Sequence, residues 1–468
     1  MMAHTAAPVP VEPATIDAFA QQLRGELITR MSPDYDEARK VYNGMIDRRP
    51  LLIARCADVA DVIASVNFAR DNHLLLAIRG GGHNGPGLGV CDDGLVIDLS
   101  QVNGIRVDPI ARTAPVEGGA LLSGVDHATH PFGLAVPAGM IASTGVGGLT
   151  LGGGIGHLSR KSGLTIDHLL EADIVLADGS LVVANKDQHA DLFWAIRGGG
   201  GNFGVVVSFL FSLPPVSIDY AGPMFWTLDK STDVMKWFLA FLPTMPDELS
   251  GFFAFLVVPP GPPFPEELHG QTMCGIVWCY TGPLDKAEEV FAPIRAKFGK
   301  PALDWVGPIP HPALLGMFDP LYTPGLQWYW KTDFFKTLPD EAIAQFVAHG
   351  SSLPTGLSTM HLYPLSGAAS RVANDATAWA NRDAKWSCVI IGVSPDPADN
   401  EKMTRWARDF WSAVHPYSSG GAYINFMMDE GADRVRATYG KNYDRLAAIK
   451  AKYDPDNLFR VNQNIKPA

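Results

Sequence analysis

The chain has 468 residues, 47% of them hydrophobic and 18% charged, with a formal net charge of −12. That length can bury cores for two or three domains, and that composition excludes general disorder. An acidic chain with no local Lys/Arg cluster has no field for nucleic acid, and no apolar run approaches the ~18–20 residues of a membrane span, so neither is an expected partner.

Met1 to Pro13 is rich in Ala and Pro, lacks a basic start, and reads as a loose tail rather than a signal peptide. Cys56, Cys91, Cys274, Cys279 and Cys388 are scattered and form no C-x-x-C pair. No disulfide framework or metal site is expected from them, and a cytoplasmic location is the default. Ala14 to Arg30 is expected to be helical. From Asp58 to Asn72, Val59, Val62, Ile63 and Val66 fall on one face at helical spacing. A strand at Leu74 to Ile78 leads into Arg79-Gly80-Gly81-Gly82-His83-Asn84-Gly85-Pro86-Gly87, and another strand follows at Leu95 to Leu99. Glycines in such a loop let backbone approach a ligand closely, and successive exposed N–H groups attract phosphate.

Gly104 to Glu117 reads as extended segments broken at Asp108-Pro109, and Leu121 to His130 as a short helix. A second glycine block runs through Thr144-Gly145-Val146-Gly147-Gly148 and Leu151-Gly152-Gly153-Gly154-Ile155-Gly156-His157. Many glycines with few loop-type polar residues point to backbone packed against something flat or against other backbone. Ala177-Asp178-Gly179-Ser180 marks a hairpin, Asp187 is expected to cap a helix through Ile196, and Gly198 to Gly201 precedes a strand at Val205 to Leu213. From about Val216 to Pro397 the chain is richer in Pro and Trp. Alternating runs such as Met273 to Tyr280 and Cys388 to Val393 predict an antiparallel sheet with helices between, one at Pro283 to Phe298. A helix at Asp399 to Val414, a strand at Tyr423 to Met427 and a helix at Tyr439 to Tyr453 complete the expected elements.

Two G-x-G-x-x-G matches occur, Gly80/Gly82/Gly85 and Gly199/Gly201/Gly204. Neither stands between a strand and a following helix, so the Rossmann reading is rejected for both. His127 and His130 lack a third ligand, and no G-x-S-x-G elbow or Walker loop is present. His83 has two readings from its surroundings alone: a loop histidine that binds phosphate or caps backbone, or a covalent tether for a redox cofactor.

Taken together, Arg79 to Asn84, Gly147 to Gly156, Arg160 to Asp167, Leu192 to Gly200 and the tail Tyr453-Asp454-Pro455 through Asn464 resemble one family. It is the berberine-bridge-enzyme-like branch of the vanillyl-alcohol oxidase / para-cresol methylhydroxylase flavoprotein superfamily. The resemblance implies an α+β chain: a two-lobed FAD domain, plus a substrate domain with an antiparallel sheet backed by helices. The implied divisions are 1–44 as an N-terminal lead and helix, 45–215 as FAD domain, 216–415 as substrate domain, and 416–468 returning to the FAD domain. It further implies FAD linked through its 8α-methyl to His83. Such a bond prevents cofactor loss and raises the flavin potential. By the same likeness the FAD contacts are Arg79, Gly80, Gly81, Gly82, His83, Asn84, Gly87, Thr144, Gly145, Gly147, Gly148, Gly152, Gly153, Gly154, His157, Asn425, Asn462 and Asn464. Tyr423 matches a tyrosine that microbial relatives use to take the substrate's hydroxyl proton.

Three departures stand out. Relatives with a second flavin bond place a cysteine where this chain has Ile141, so attachment is expected at His83 alone. Thr144 occupies the position that governs oxygen access, which leaves oxidase against dehydrogenase behaviour open. Some plant relatives carry a Glu or Gln where this chain is read as having Ile390. A carboxylate base is therefore absent there, and Tyr423 is the expected base, with Tyr363 and His361 as further candidates. Trp226, Trp278, Trp386 and Trp328-Tyr329-Trp330 serve either as stacking surfaces or as core. The expected activity is oxidation of a small-molecule alcohol or sugar, with hydride passing to FAD and molecular oxygen yielding hydrogen peroxide. Tailoring of an aromatic or alkaloid-like compound, a dehydrogenase, and an inert flavin-binding relative are the alternatives.

Overall fold

The computed structural model describes residues 11–468, and Met1 to Pro10 of the expected tail lie outside them. Strands β1 (Glu26–Thr29), β2 (Leu52–Arg55), β3 (Leu76–Arg79) and β4 (Leu95–Asp98) form one sheet in the order β1-β2-β4-β3, with β2 and β3 parallel to β4. Every residue of β4 is buried, as a parallel strand covered on both faces requires. The helix Val59–Asp71 links β2 to β3. Asp58 caps it by accepting from the Ala60 and Asp61 N–H groups at 2.9 and 3.2 Å. The single helix expected over Ala14 to Arg30 is instead a helix Pro13–Ala20 followed by β1. Gly25 makes the break: a Cβ there would lie 2.1 Å from the Arg55 carbonyl oxygen, so glycine lets the chain close onto β2.

A second sheet holds β5 (Thr113–Glu117), β6 (Leu169–Val175), β7 (Leu181–Asn185) and β8 (Val205–Ser212), antiparallel in the order β5-β8-β6-β7. Asp187 does not cap the next helix, which spans Ala190–Ile196. The Asp187 and Gln188 N–H groups bond back to Asn185 Oδ1 at 2.9 and 2.8 Å, and His189 turns the chain into the helix.

The third sheet has eight strands: β9 (Ile218–Thr227), β10 (Leu249–Val257), β11 (Thr272–Tyr280), β12 (Leu303–Asp304), β13 (Gly307–Pro310), β14 (Gln327–Phe335), β15 (Thr359–Pro364) and β16 (Trp386–Ser394). Its main path runs β12-β9-β11-β10-β15-β16-β14, antiparallel throughout, with β13 also on β9. Strand alternation sorts its side chains cleanly. Phe253, Phe255, Ile276, Trp278, Leu362 and Ile390 pack in one core with Phe238, Phe291, Phe346 and Phe410 from the backing helices. Trp226, Trp278 and Trp386 belong to this core, which settles their role as structural.

The last part of the chain returns to the second sheet, where Leu446, Ile449, Tyr453 and Ile465 share a core with Ala114, Ile174 and Phe209. A buried clasp fixes the tail. Lys450 donates to Asp454 Oδ2 at 2.5 Å and to the Asn202 and Phe459 carbonyls at 2.6 and 2.8 Å. Asp454 in turn accepts from the Leu458 and Phe459 N–H groups. A bidentate pair, Arg382 to Asp167 at 2.6 and 2.7 Å, ties the loop before β16 to the loop before β6.

Candidate active site

The three sheets surround a cavity of about 830 Å³. One wall is the opening glycine loop laid against the second glycine block. A Cβ on Gly81 would lie 2.4 Å from Gly145 N, and one on Gly145 2.3 Å from Gly81 N, so the loops touch backbone to backbone. Asn43 pins this wall to the large sheet: its Nδ2 donates to the Gly85 and Trp328 carbonyls at 2.7 and 3.1 Å, and its Oδ1 accepts from Trp328 N at 3.1 Å.

His83 lines the cavity on that wall. Its ring stacks on Tyr42 with centroids 3.8 Å apart, and Nε2 lies 3.0 Å from Ser143 Oγ. Nδ1 has no hydrogen-bond partner among the described residues. Burial lowers the His83 pKa to about 4, with Ser143 opposing, so the imidazole is neutral at physiological pH. Arg79 also lines the cavity, but its guanidinium is committed to Asp98 at 2.9 Å and to the Lys40 carbonyl at 3.1 Å.

Tyr423 reaches the same cavity from the C-terminal segment. Its Oη accepts from Gly154 N at 3.0 Å, Ile155 N at 3.2 Å and Asn425 Nδ2 at 2.8 Å. The segment is not the expected strand but a 3-10 turn over Ile424–Phe426. Tyr423 and Asn425 both turn onto the glycine block, where Asn425 also donates to the Leu149 carbonyl at 3.1 Å, instead of pairing with a neighbouring strand. Burial raises the Tyr423 phenol above its ordinary pKa, while its three N–H donors act in the opposite direction.

The large sheet supplies the opposite wall. Phe225, Ala254, His361 and Val389 lie in one register row across β9, β10, β15 and β16, joined through Gly275 of β11, and all four line the cavity. His361 Nδ1 is 2.6 Å from Tyr363 Oη. Burial lowers His361 to about 3 and raises Tyr363 above its ordinary value. Trp328 and Trp330 face this space, whereas Tyr329 turns outward to Arg408 at 2.9 Å. Ile390 does not face the cavity. Alternation puts it in the helix-side core, and Val389 and Ile391 are the β16 residues on the wall. Both are apolar, so β16 still offers no carboxylate.

Among the expected cofactor contacts, Gly80, Gly81, Gly82, Asn84, Thr144, Gly145, Gly147, Gly148, Asn425 and Asn462 line the cavity with Arg79 and His83. Gly87, Gly152, Gly153, Gly154, His157 and Asn464 are not among the lining residues. Side chains on Gly152, Gly153 and Gly154 would strike Asn425, Trp379 and Thr165. His157 is 3% exposed, has both ring nitrogens unpartnered, and sits behind Phe252 with ring centroids 6.2 Å apart. Tyr42, Asn43 and Ser143 were not anticipated. Ser143 stands in the glycine block and could have been flagged as a local hydroxyl, whereas Tyr42 and Asn43 meet the loop only through the fold.

Comparison with known proteins agrees with this architecture. Residues 50–185 match a family described as "FAD binding domain", and residues 422–466 one described as "Berberine and berberine like". An uncharacterised FAD-linked oxidoreductase of Bacillus subtilis is 32% identical over 95% of this chain and 98% of its own. The (R)-6-hydroxynicotine oxidase of Paenarthrobacter nicotinovorans is 30% identical over 95% and 97%. A crystal structure of 6-hydroxy-D-nicotine oxidase from Arthrobacter nicotinovorans superposes with a TM-score of 0.85 at 27% identity, covering 95% of this chain and 98% of that one.

Proposed function

The chain belongs to the berberine-bridge-like family of FAD-linked oxidoreductases, and from that premise we propose an oxidase whose FAD is bound covalently to His83 alone. The residues present fit FAD. The cavity, about 830 Å³, has room for a large ligand, one wall is glycine backbone, and Asn462 presents a buried Oδ1 without a partner. Gly80, Gly81, Gly82, Gly145, Gly147 and Gly148 would hold the cofactor along that wall, with Asn425 and Asn462 completing it.

The observation that carries the reading is the setting of His83. Ser143 engages Nε2, Tyr42 fixes the ring plane, and the neutral imidazole keeps Nδ1 available for bonding. Ile141 cannot form a second bond, so attachment at one point follows. Bound FAD would supply the two-electron acceptor for the substrate's hydride, with molecular oxygen as the final acceptor and hydrogen peroxide as its product.

Tyr423 is the base. A neutral phenol oxygen is matched to fewer donors than a phenolate, and three N–H groups converge on this one. They stabilise the charge left when Tyr423 Oη is deprotonated, ready to take the proton from an alcohol or amine at the reacting carbon. Oxidation of an alcohol is the reaction this arrangement serves best.

Acid precipitation of the purified protein tests the tether. Yellow colour is expected to stay in the pellet of the wild type and to leave that of His83→Ala. Colour released to the supernatant by the wild type overturns the covalent reading.

A further inference from the structure

Resting on the reading of this cavity as the flavin and substrate site, we propose that the substrate is an uncharged, largely apolar ring alcohol, not an oligosaccharide. The walls carry the inference. Among the described residues that line the cavity there is no Asp, Glu or Lys, and its one arginine is already paired with Asp98. Asp319 adjoins the lining residues Phe318 and Pro320, but its carboxylate accepts from the Ala142 N–H at 3.2 Å. An anionic substrate meets no free cation, and His361, lowered to about 3 by burial, supplies none. A cationic substrate meets no carboxylate among the lining residues.

The face opposite His83 is apolar and aromatic. Phe252, Leu256, Val389 and Ile391 stand on it, and four prolines, Pro259, Pro260, Pro262 and Pro263, line the cavity from the loop after β10. At the rim, Trp305 is 38% exposed and pairs with Phe264 at a centroid separation of 4.9 Å. A solvent-facing tryptophan that also lines a cavity is a landing surface for a ring, since an indole buries large apolar area with little entropy to lose.

Beyond Tyr423, which meets the reacting hydroxyl, polar capacity on this side is sparse: Tyr363 is bonded to His361, and Ser358 to Val393 N at 3.1 Å. An oligosaccharide would bring a hydroxyl on most ring carbons into walls that cannot answer them, and each buried hydroxyl without a partner weakens binding. A flat apolar ring loses nothing there. The free edge of the His361–Tyr363 pair leaves room for one or two polar substituents.

The test uses the holoenzyme as purified. Anaerobic bleaching of the flavin is followed with benzylic, bicyclic aryl and cyclic aliphatic alcohols, against cellobiose, xylobiose and chitobiose at equal concentration. At least one neutral ring compound is expected to bleach the flavin about ten-fold or more faster than any sugar. For that compound Trp305→Ala is expected to raise KM about ten-fold at unchanged flavin content, the loss of one aromatic contact. Faster bleaching by a sugar, bleaching by no member of the ring set, or an unchanged KM in Trp305→Ala overturns the proposal. A colourless protein would instead overturn the flavin reading on which it rests, whereas a yellow protein bleached by sugars overturns the substrate class alone.

Discussion

Replacing Tyr423 with Phe separates chemistry from structure at the centre of the site. The side chain is 1% exposed, so removing Oη strands the Gly154 and Ile155 N–H groups in a dry environment. Each costs ~1–3 kcal/mol when left unpaired. Asn425 loses less, because its Nδ2 already donates to the Leu149 carbonyl at 3.1 Å and keeps that bond. Tyr423→Phe is therefore expected to lose about 2–6 kcal/mol in urea unfolding. If Tyr423 is also the base, the rate of anaerobic flavin reduction falls by roughly 10²–10⁴. The pH profile distinguishes the two roles. Burial raises the phenol, so wild-type reduction climbs with pH as Tyr423 ionises, and the Phe variant lacks that limb. A variant that loses stability but keeps both the limb and a rate within about ten-fold of wild type would refute the base assignment.

Two further substitutions follow from the same geometry. Ser143→Ala removes the partner of His83 Nε2 at 3.0 Å and is expected to slow flavin attachment, read as a smaller fluorescent fraction on a denaturing gel, with Ser143→Thr restoring it. His157→Leu concerns stability. The ring is buried with both nitrogens unpartnered, so the variant is expected to gain ~1 kcal/mol near pH 7. Its pKa is held down to about 3 against an ordinary 6.5, so the wild type loses stability as pH falls from 6.5 toward 3, by ~1.4 kcal/mol per unit. The acid limb of the variant should be correspondingly flatter, and parallel limbs in urea unfolding would contradict this.

Much of the site was readable from local pattern because its wall is local: glycine at Gly81 and Gly145 answers a close backbone approach, and His83 sits inside that same loop. What was misread depended on direction or distance. On β16 both neighbours of Ile390 are apolar, so nothing in the run says which face meets the cavity, and the alternation had to be seen against β14 and β15. Tyr423 and Asn425 have the spacing of a strand face but take a turn, since both bond to the glycine block some 270 residues earlier in the chain. His157 follows six glycine-block residues yet faces Phe252, because side chains after a tight turn need not share the turn's aspect. Tyr42 and Asn43 reach His83 and Trp328 only through the fold.

Intact mass spectrometry of the denatured protein tests the central claim most directly. Covalent attachment at one point predicts the 50.5 kDa chain plus a single FAD less two hydrogens, with the modified peptide containing His83 and the adduct absent from His83→Ala. A wild-type protein that is yellow when folded but shows only the unmodified chain mass, or an adduct on any residue other than His83, would contradict it.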